Sequence, residues 1–439
     1  MVLAVSAPWV LPIEPAEPIA DGAVAIEEGR IAGVGTVEDI RTQFPDAEWE
    51  ERPDHVLLPG LVNAHTHAAM NLLRGYADDL PLMSWLQDRI WPAEGRWVDP
   101  QFVADGTRLA AAEMLRGGVT CFNDMYFFPE QAIESARESG IRIVCGQVIV
   151  DGPTAYARNA DEYIAKALHV VEQYSDSPGV HLTLAPHAPY TVSDDALVRV
   201  GELSEELDLS VHMHVHETAD EVSQSVEQYG VRPISRLDRL GLINHRLIAV
   251  HAVHLNDDEI ALFAERDVAG VHCPTSNLKL ASGFARFSAW LAGGLRVGIG
   301  TDGVASNNRL DVLADTRLAG LLSKGLTGDA AVVPASVALH TATLGGARAL
   351  GLGDVIGSLE TGKSADLIAV DLSGNDLAPM YDVQSHLINC VGREDISDVW
   401  VAGRQVVAGH ELLTDDTEEL AHLARVWQQR VSGATSARP

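Results

Sequence analysis

The chain has 439 residues, of which 46% are hydrophobic and 21% charged, a composition typical of a folded globular protein. Its formal net charge is −31, from 62 acidic and 31 basic residues. This excess of negative charge argues against nucleic acids and anionic membrane surfaces as partners, because both bind to basic patches. Apolar runs stay shorter than the roughly 18 residues that a transmembrane helix needs, so none is expected.

The cysteines and the chain length indicate the general class of protein. Cys121, Cys145, Cys273 and Cys390 are scattered and form no CxxC motif. Because the sequence also shows no recognisable signal peptide, these cysteines are expected to be reduced thiols in a cytoplasmic protein. A chain of this length predicts one large domain and a smaller one.

Both ends of the chain have sequence patterns typical of short β-strands. Residues 22–35 predict two strands joined by a tight turn, and residues 365–370 form one apolar run. Residues 399–407 read as a strand, a glycine turn and a strand. We therefore expect residues 1–58 and 365–439 to combine into one small β-sandwich domain.

The C-terminal part of this domain is predicted to be followed by a helix and a tail. A terminal helix is expected from Asp415 to about Arg430, and Ser432–Pro439 are expected to be disordered.

The middle of the chain, residues 59–364, alternates between apolar strands and helical stretches. Two of those stretches, Asp161–Leu168 and Asp194–Val200, begin with acidic residues, as helix N-termini prefer. Eight repeats of this kind predict a (β/α)8 TIM barrel, with its chemistry at the carboxyl ends of the strands. The eight predicted strands are Leu57–Asn63, Val119–Asn123, Ile141–Val150, Val180–Ala185, Ser210–His216, Leu247–His251, Ala269–Cys273 and Arg296–Gly300.

His65 and His67 stand one residue apart at the end of the first predicted strand. Side chains alternate along a strand, so both imidazoles point the same way and form half of a metal site. Later strands also end in polar residues, at His187, His251 and Asp302. Burying so many polar groups unpaired would be costly, which favours a shared site over packing.

The fifth strand end offers three histidines, His212, His214 and His216, that share one face. The pattern alone does not choose among them. With His65, His67 and Asp302, one of them would complete a ligand set that suits zinc. A bound water would then ionise near neutral pH, and Glu217 is placed to carry protons.

Long stretches of the sequence are similar to the amidohydrolase superfamily, specifically its aminohydrolase branch that includes 5-methylthioadenosine/S-adenosylhomocysteine deaminases. The similarity spans nearly the whole predicted barrel. The stretches are PGLVNAHTHAAMNLLRGYADDLPLMSWL, IWPAEGRW, GVTCFNDMYFFPE, APHAPYTVS, HMHVHETADEV, AVHAVHL, CPTSNLKLASG and GTDGVASNN.

The resemblance implies roles for individual residues. Glu217 would protonate the substrate ring, His251 would orient the attacking water, and Asp302 would also act as the base that takes the water proton. The implied ligands of the metal ion are His65, His67, His214 and Asp302.

Substrate contacts also follow from the resemblance. Glu94 would hold the ribose hydroxyls, His187 is a second contact, and Arg158 falls near a substrate-binding arginine of the family. Trp91 is a further candidate because it lies beside Glu94. The third strand carries Gln147 where some members have an arginine suited to an amino-acid tail, which favours 5′-methylthioadenosine over S-adenosylhomocysteine.

The sequence leaves several alternatives open. Two-metal members of the superfamily commonly use a carboxylated lysine, and Lys166, in a helix pattern, is the sole lysine between His67 and His214. One divalent ion is therefore expected, with zinc preferred over iron or manganese. A chlorohydrolase or an aminohydrolase of guanine, a pterin or an s-triazine is the alternative enzyme, and a non-catalytic barrel is the alternative class. A homo-oligomer stays open.

Overall fold

The computed structural model describes residues 1–435. The strands are β1 (Leu3–Val10), β2 (Ile19–Glu27), β3 (Arg30–Thr36), β4 (Glu48–Glu51), β5 (His55–Pro59), β6 (Leu61–Thr66), β7 (Val119–Tyr126), β8 (Arg142–Ile149), β9 (Val180–Pro186), β10 (Ser210–Val215), β11 (Leu247–His251), β12 (Ala269–His272), β13 (Arg296–Ile299), β14 (Leu367–Asp371), β15 (Ile396–Val401), β16 (Arg404–Ala408) and β17 (Glu411–Leu412).

The α-helices fill most of the remaining chain. They are α1 (Val37–Gln43), α2 (Leu82–Trp85), α3 (Trp91–Trp97), α4 (Pro100–Arg116), α5 (Pro129–Ser139), α6 (Ala160–Tyr174), α7 (Asp194–Leu207), α8 (Ala219–Tyr229), α9 (Pro233–Arg239), α10 (Asp257–Glu265), α11 (Pro274–Lys279), α12 (Phe287–Ala292), α13 (Val304–Asn307), α14 (Val312–Thr327), α15 (Ala335–His340), α16 (Gly346–Ala349), α17 (Val383–Asn389) and α18 (Thr417–Thr435).

Strands β6 to β13 form a parallel barrel in which each strand lies beside the next in sequence. The first and last strands of the barrel, β6 and β13, are linked where the amide of Asp302 donates to the carbonyl of His65 at 3.0 Å. Apolar side chains such as Val62, Val144 and Val250 fill the barrel below the carboxyl ends. The predicted TIM barrel is confirmed.

The two ends of the chain share one mixed nine-stranded sheet, in the order β17-β16-β15-β14-β5-β1-β2-β3, with β4 paired to β1. Strand β14 pairs antiparallel with β5, which joins the C-terminal strands to the N-terminal ones. The predicted hairpin over residues 22–35 is present as β2 and β3. A small β structure built from both ends of the chain is thus confirmed.

The first predicted barrel strand, Leu57–Asn63, is wrong in its bounds. The chain leaves the small sheet at Pro59 and enters the barrel at Leu61, so the apolar run belongs to two strands in two sheets. The break falls at Gly60, where a Cβ atom would lie only 2.1 Å from Oγ1 of Thr120. Glycine is required there because β7 passes too close for any side chain.

A buried ion pair connects the base of the barrel to the small sheet. Arg142, at the start of β8, lies 3.2 Å from the carboxylate of Asp366, just before β14. The same carboxylate accepts a hydrogen bond from the amide of Ala402 at 2.8 Å. The domain limits near residues 58 and 364 lie close to this junction and stay a prediction.

The end of the chain differs from expectation. Helix α18 runs to Thr435, so residues 432–435 are helical and not disordered. The rest of the segment predicted to be disordered, residues 436–439, lies outside the described residues. Within residues 1–435, no helix has the length and apolar character needed to cross a membrane.

Candidate active site

Polar side chains meet at the carboxyl end of the barrel. His65 lies near the end of β6 and His67 directly follows it, His214 lies near the end of β10, His251 ends β11, and Asp302 follows β13. Both His251 and Asp302 have positive φ angles, 66° and 60°. Non-glycine residues in this strained region are concentrated at functional sites.

The side-chain atoms of these residues converge on one point. Oδ1 of Asp302 lies 3.4 Å from Nε2 of His65 and 3.2 Å from Nε2 of His67. Nε2 of His214 lies 3.2 Å from Nε2 of His65, and a nitrogen of His251 falls within 4.8 Å of both. The sequence therefore predicted a set of groups that the fold does bring together.

The second nitrogen of each ring explains why Nε2 faces the centre. Nδ1 of His67 donates to the carbonyl of Met125 at 2.6 Å, and Nδ1 of His214 donates to the carbonyl of His187 at 2.7 Å. With its proton fixed on Nδ1, each ring presents the Nε2 lone pair to the site. Three imidazoles and one carboxylate, oriented in this way, fit a metal ion.

Asp302 is held by three donors from the segments that follow β12 and β13, two of them on the short helices α11 and α13. The hydroxyls of Ser276 and Ser306 both donate to Oδ2 at 2.7 Å, and the amide of Gly303 donates to Oδ1 at 2.7 Å. Burial raises the pKa of this carboxyl, but its interactions with the adjacent imidazoles of His65 and His67 outweigh it and hold the pKa well below its usual range. Asp302 is therefore a carboxylate.

Glu217 is the second buried carboxyl group of the site. One oxygen lies 3.3 Å from the hydroxyl of Ser282, and the other lies 3.9 Å from Nε2 of His251. Burial raises the pKa of Glu217. A carboxyl group whose pKa is raised in this way is suited to carry a proton to a substrate.

Neighbouring side chains fix the positions of Glu217 and His251. The carboxylate of Glu221 accepts hydrogen bonds from the backbone amides of His216 at 2.9 Å and Glu217 at 2.7 Å. Nδ1 of His251 lies 2.8 Å from Oδ1 of Asn277, which directs Nε2 of His251 toward Glu217.

A cavity of about 460 Å³ opens above these groups. Its polar lining includes His67, Glu94, Tyr126, His187, Glu217 and Asp302. The segment between β6 and α4 lines the other part of the cavity with apolar side chains, among them Leu82, Trp85, Ile90 and Trp91. Among the described residues, neither lysine nor arginine lines the cavity.

Glu94 extends into this cavity from α3, which follows a short π-helical turn at Leu86–Ile90. Its Oε1 accepts a hydrogen bond from the hydroxyl of Tyr126 at 2.9 Å. Burial raises the pKa of Glu94 to about 7. The ring of Tyr126 also lies 6.4 Å from that of His67, so Glu94 is two contacts away from the metal-ligand cluster.

Residues 56–406 match the model of the Amidohydrolase family. The chain belongs to the amidohydrolase family. Residues 22–47, in the small sheet, also match the model of an imidazolonepropionase-like composite domain of bacteria.

Individual proteins are similar to this amidohydrolase over nearly its full length. The 5-methylthioadenosine/S-adenosylhomocysteine deaminase of Saccharophagus degradans is 45% identical, over 98% of both chains. A crystal structure of an adenosine deaminase from Xanthomonas campestris with bound zinc is 51% identical, with a TM-score of 0.97 over 98% of both chains. An atrazine chlorohydrolase of Arthrobacter aurescens, 24% identical with a TM-score of 0.91 over 97% of this chain and 99% of its own, shares the fold.

Two residues predicted to affect substrate binding lie elsewhere in this amidohydrolase. The side chain of Arg158 is 84% exposed, pairs with Glu162 at 2.6 Å and does not line the cavity. Gln147 is buried, and its amide donates to the carbonyl of Cys145 at 3.1 Å. Its neighbour Val148 lines the cavity instead, so Gln147 makes no contact with the space where an amino-acid tail would lie. The remaining predicted contacts, Glu94, His187 and Trp91, all line the cavity.

Replacing Arg158 with alanine should therefore leave KM unchanged within about twofold, because its side chain lies outside the cavity and its exposed ion pair contributes little. Steady-state kinetics of the purified variant would test this. A tenfold rise in KM would instead mean that the loop closes over the substrate and brings Arg158 with it.

Several residues of the site were not identified from the sequence. The sequence patterns assigned no role to five of them, which are Ser276, Ser306, Asn277, Glu221 and Tyr126. They were present in stretches that resemble the superfamily, CPTSNLKLASG, GTDGVASNN, HETADEV and GVTCFNDMYFFPE, and only their positions in the fold assign them contacts.

Proposed function

We propose that this amidohydrolase is a zinc-dependent hydrolytic deaminase of adenine nucleosides, with 5′-methylthioadenosine as its preferred substrate. The observation that carries the proposal is the cavity, which places Glu94 in the same space as Glu217, His251 and Asp302. A carboxylate beside a metal centre suits the two hydroxyls of a ribose. The names of the relatives described above support the same class of substrate.

The proposed metal is a single zinc ion held by His65, His67, His214 and Asp302. When bound, zinc would supply a water molecule that ionises near neutral pH. His251 accepts a hydrogen bond from the attacking water through Nε2, because its Nδ1 is bonded to Asn277. Asp302 accepts the water proton.

The other proton steps fall to Glu217. It donates a proton to the ring nitrogen next to the amino-bearing carbon as the oxygen adds to that carbon. The carbon–nitrogen bond to the amino group then breaks, and the amino group leaves as ammonia after gaining a proton that the water provided. The product is the inosine analogue of the substrate.

The preference for a methylthio group over a homocysteine chain is supported by the apolar wall of the cavity. S-adenosylhomocysteine carries a carboxylate and an ammonium group, and the lining offers its carboxylate no cationic side chain. Desolvating an unpaired charge is costly, so we expect at least about a tenfold lower kcat/KM for this substrate. Adenosine remains a further candidate.

Deamination of guanine or a pterin, or hydrolysis of an s-triazine, is the alternative. Those compounds have no ribose, so they would offer Glu94 no hydroxyl groups and leave Tyr126 as its hydrogen-bond partner. The triazine enzyme is similar to this chain at an identity that supports a shared fold alone. The four free cysteines are in keeping with a cytoplasmic enzyme, and a homo-oligomer stays a prediction.

The test is a direct assay of the zinc-loaded protein on 5′-methylthioadenosine, S-adenosylhomocysteine, adenosine and guanine. Ammonia release and the ultraviolet change from adenine to hypoxanthine would be followed together. Turnover of the first compound above the others supports the proposal. Turnover of guanine alone would overturn the substrate class and the role of Glu94, while leaving the metal chemistry.

Glu94 gives a pH-dependent prediction. Because its pKa is raised to about 7, the carboxylate forms as the pH rises, and KM for the nucleoside should fall between about pH 6 and 8. Glu94→Gln should remove this dependence and raise KM about tenfold or more, since a hydrogen bond with a charged group contributes about 1.5–3 kcal/mol.

The matched control for that experiment is a change of substrate. An analogue without the 2′ and 3′ hydroxyls should show a flat KM across the same pH range with the unmodified enzyme. Equal pH dependence for both compounds would assign the titration to another group.

A further inference from the structure

His212 lies inside the barrel, two residues before His214 on β10, and is fully buried. Its Nε2 lies 2.9 Å from Nδ1 of His65. The two rings meet edge to face, with centroids 4.9 Å apart. His212 does not line the cavity, so its contact with the site runs through His65.

The direction of this hydrogen bond follows from a third residue, Asn123 on β7. The side-chain amide nitrogen of Asn123 donates to the carbonyl of Ala64 at 3.0 Å and lies 3.3 Å from Nε2 of His212. Because the amide is a donor, Nε2 of His212 must be an acceptor. Nδ1 of His65 therefore carries a proton, and Nε2 of His65 is left as a lone pair facing Asp302 and His214.

This arrangement sets His65 apart from the other rings of the site. His67 and His214 donate to backbone carbonyls, and His251 donates to the side-chain oxygen of Asn277. Of these four imidazoles, His65 alone has another ring nitrogen as the partner of its Nδ1 atom. The orientation of His65, like that of His251, thus depends on a side chain that can vary, whereas the backbone carbonyls that hold His67 and His214 do not change with sequence.

The cost of keeping a histidine at this position argues against a packing role. With Nε2 as acceptor, the proton of His212 lies on Nδ1, which is buried and has no hydrogen-bond partner within residues 1–435. A leucine would fill a buried position without an unpaired donor, which is the cheaper choice for packing alone. The hydrogen bond to His65 supplies a reason for the imidazole.

We propose that His212 is a positioning residue for the metal centre. Through its neutral Nε2 acceptor it fixes the tautomer and ring orientation of His65, so that Nε2 of His65 faces the metal ion. The inference rests on the metal site of the proposed function, and it is independent of which substrate the enzyme deaminates. Partners of this kind typically change metal affinity by about 10–100-fold when they are lost.

The test measures zinc affinity by competition with a chelator, using the full chain after removal of metal. His212→Leu should weaken zinc binding by about 10–100-fold. His212→Gln should bind zinc within about threefold of the unmodified protein, because a glutamine amide oxygen can accept the hydrogen bond from Nδ1 of His65.

The matched control is His272→Leu. His272 is also buried on a barrel strand and also has an unpartnered Nδ1, but its ring stacks on Phe287, outside the metal cluster. This variant should lose stability and keep its zinc affinity. Unchanged zinc binding by His212→Leu would overturn the proposal, as would an equal loss in a folded His212→Gln protein, since that would indicate packing.

A second measurement needs no variant and covers the case in which His212→Leu does not fold. Nitrogen-15 spectra of the histidine rings in the zinc-loaded protein should show His212 protonated on Nδ1 and bare on Nε2. A proton on Nε2 of His212 would overturn the proposal. If no nucleoside is deaminated but these zinc results hold, the substrate assignment fails and the role of His212 stands.

Discussion

Replacing Glu217 with glutamine should lower kcat/KM for 5′-methylthioadenosine by about 10²–10⁴-fold, the range expected for loss of a general acid–base group. Glutamine matches the shape of the buried side chain and can still bind the hydroxyl of Ser282, but its amide has no acidic proton to transfer to the ring. Steady-state kinetics and a thermal melt of the variant provide the measurement. The melting temperature should change little, since no buried charge is left unpaired.

Glu227→Gln is the control, because Glu227 is an exposed glutamate on α8 of the same loop–helix unit. It should keep full activity. A Glu217→Gln enzyme that works as well as this control would remove Glu217 from the mechanism, and an unfolded one would assign it a structural role.

Loss of the metal ion should have an equally large effect. Asp302→Asn should lower turnover by at least about 10³-fold, because it removes both a charged ligand and the base for the water proton. Metal analysis should show reduced zinc content after purification. The unmodified protein, stripped with a chelator, should be inactive and should recover on addition of zinc.

The same experiment predicts a change in stability. Zinc present at 100 times its Kd stabilises the folded state by about 2.7 kcal/mol, so the stripped protein should melt at a lower temperature. In Asp302→Asn this response to zinc should be weaker. A melting temperature that zinc does not move, in a protein that remains active, would contradict the metal site.

The barrel and the metal ligands could be predicted because their signals are local. Strand and helix patterns repeat along the chain, and His65 and His67 stand close together in sequence. The break at Gly60 could not be predicted, because the apolar run is continuous and the constraint comes from Thr120, a residue of the neighbouring strand. The two serines that donate to Asp302 lie on different helices, α11 and α13, which only the closed barrel brings together.

Substrate contacts were harder to predict for a related reason. Side chains alternate between the two faces of a strand, so an error of one residue assigns every side chain to the wrong face. The residues of β8 are mostly apolar on both faces, and the sequence therefore does not indicate which face points into the barrel. Gln147 therefore looked like a contact, while its neighbour Val148 is the one that lines the cavity. Arg158 forms an ion pair with Glu162, which follows it by one helical turn in the sequence. A comparison of motifs does not reveal this local contact.

The pairing of β5 with β14 has a consequence for synthesis on the ribosome. Strand β5 is made early, but its partner in the small sheet follows after roughly 300 further residues, which take about 15–60 s at typical elongation rates. Throughout that time the edge of β5 that β14 will cover is unpaired, and this edge leads directly through Gly60 into the strand that carries His65. Because an unpaired strand edge can pair with other chains, we expect incomplete chains that end before β14 to aggregate more readily than the full chain.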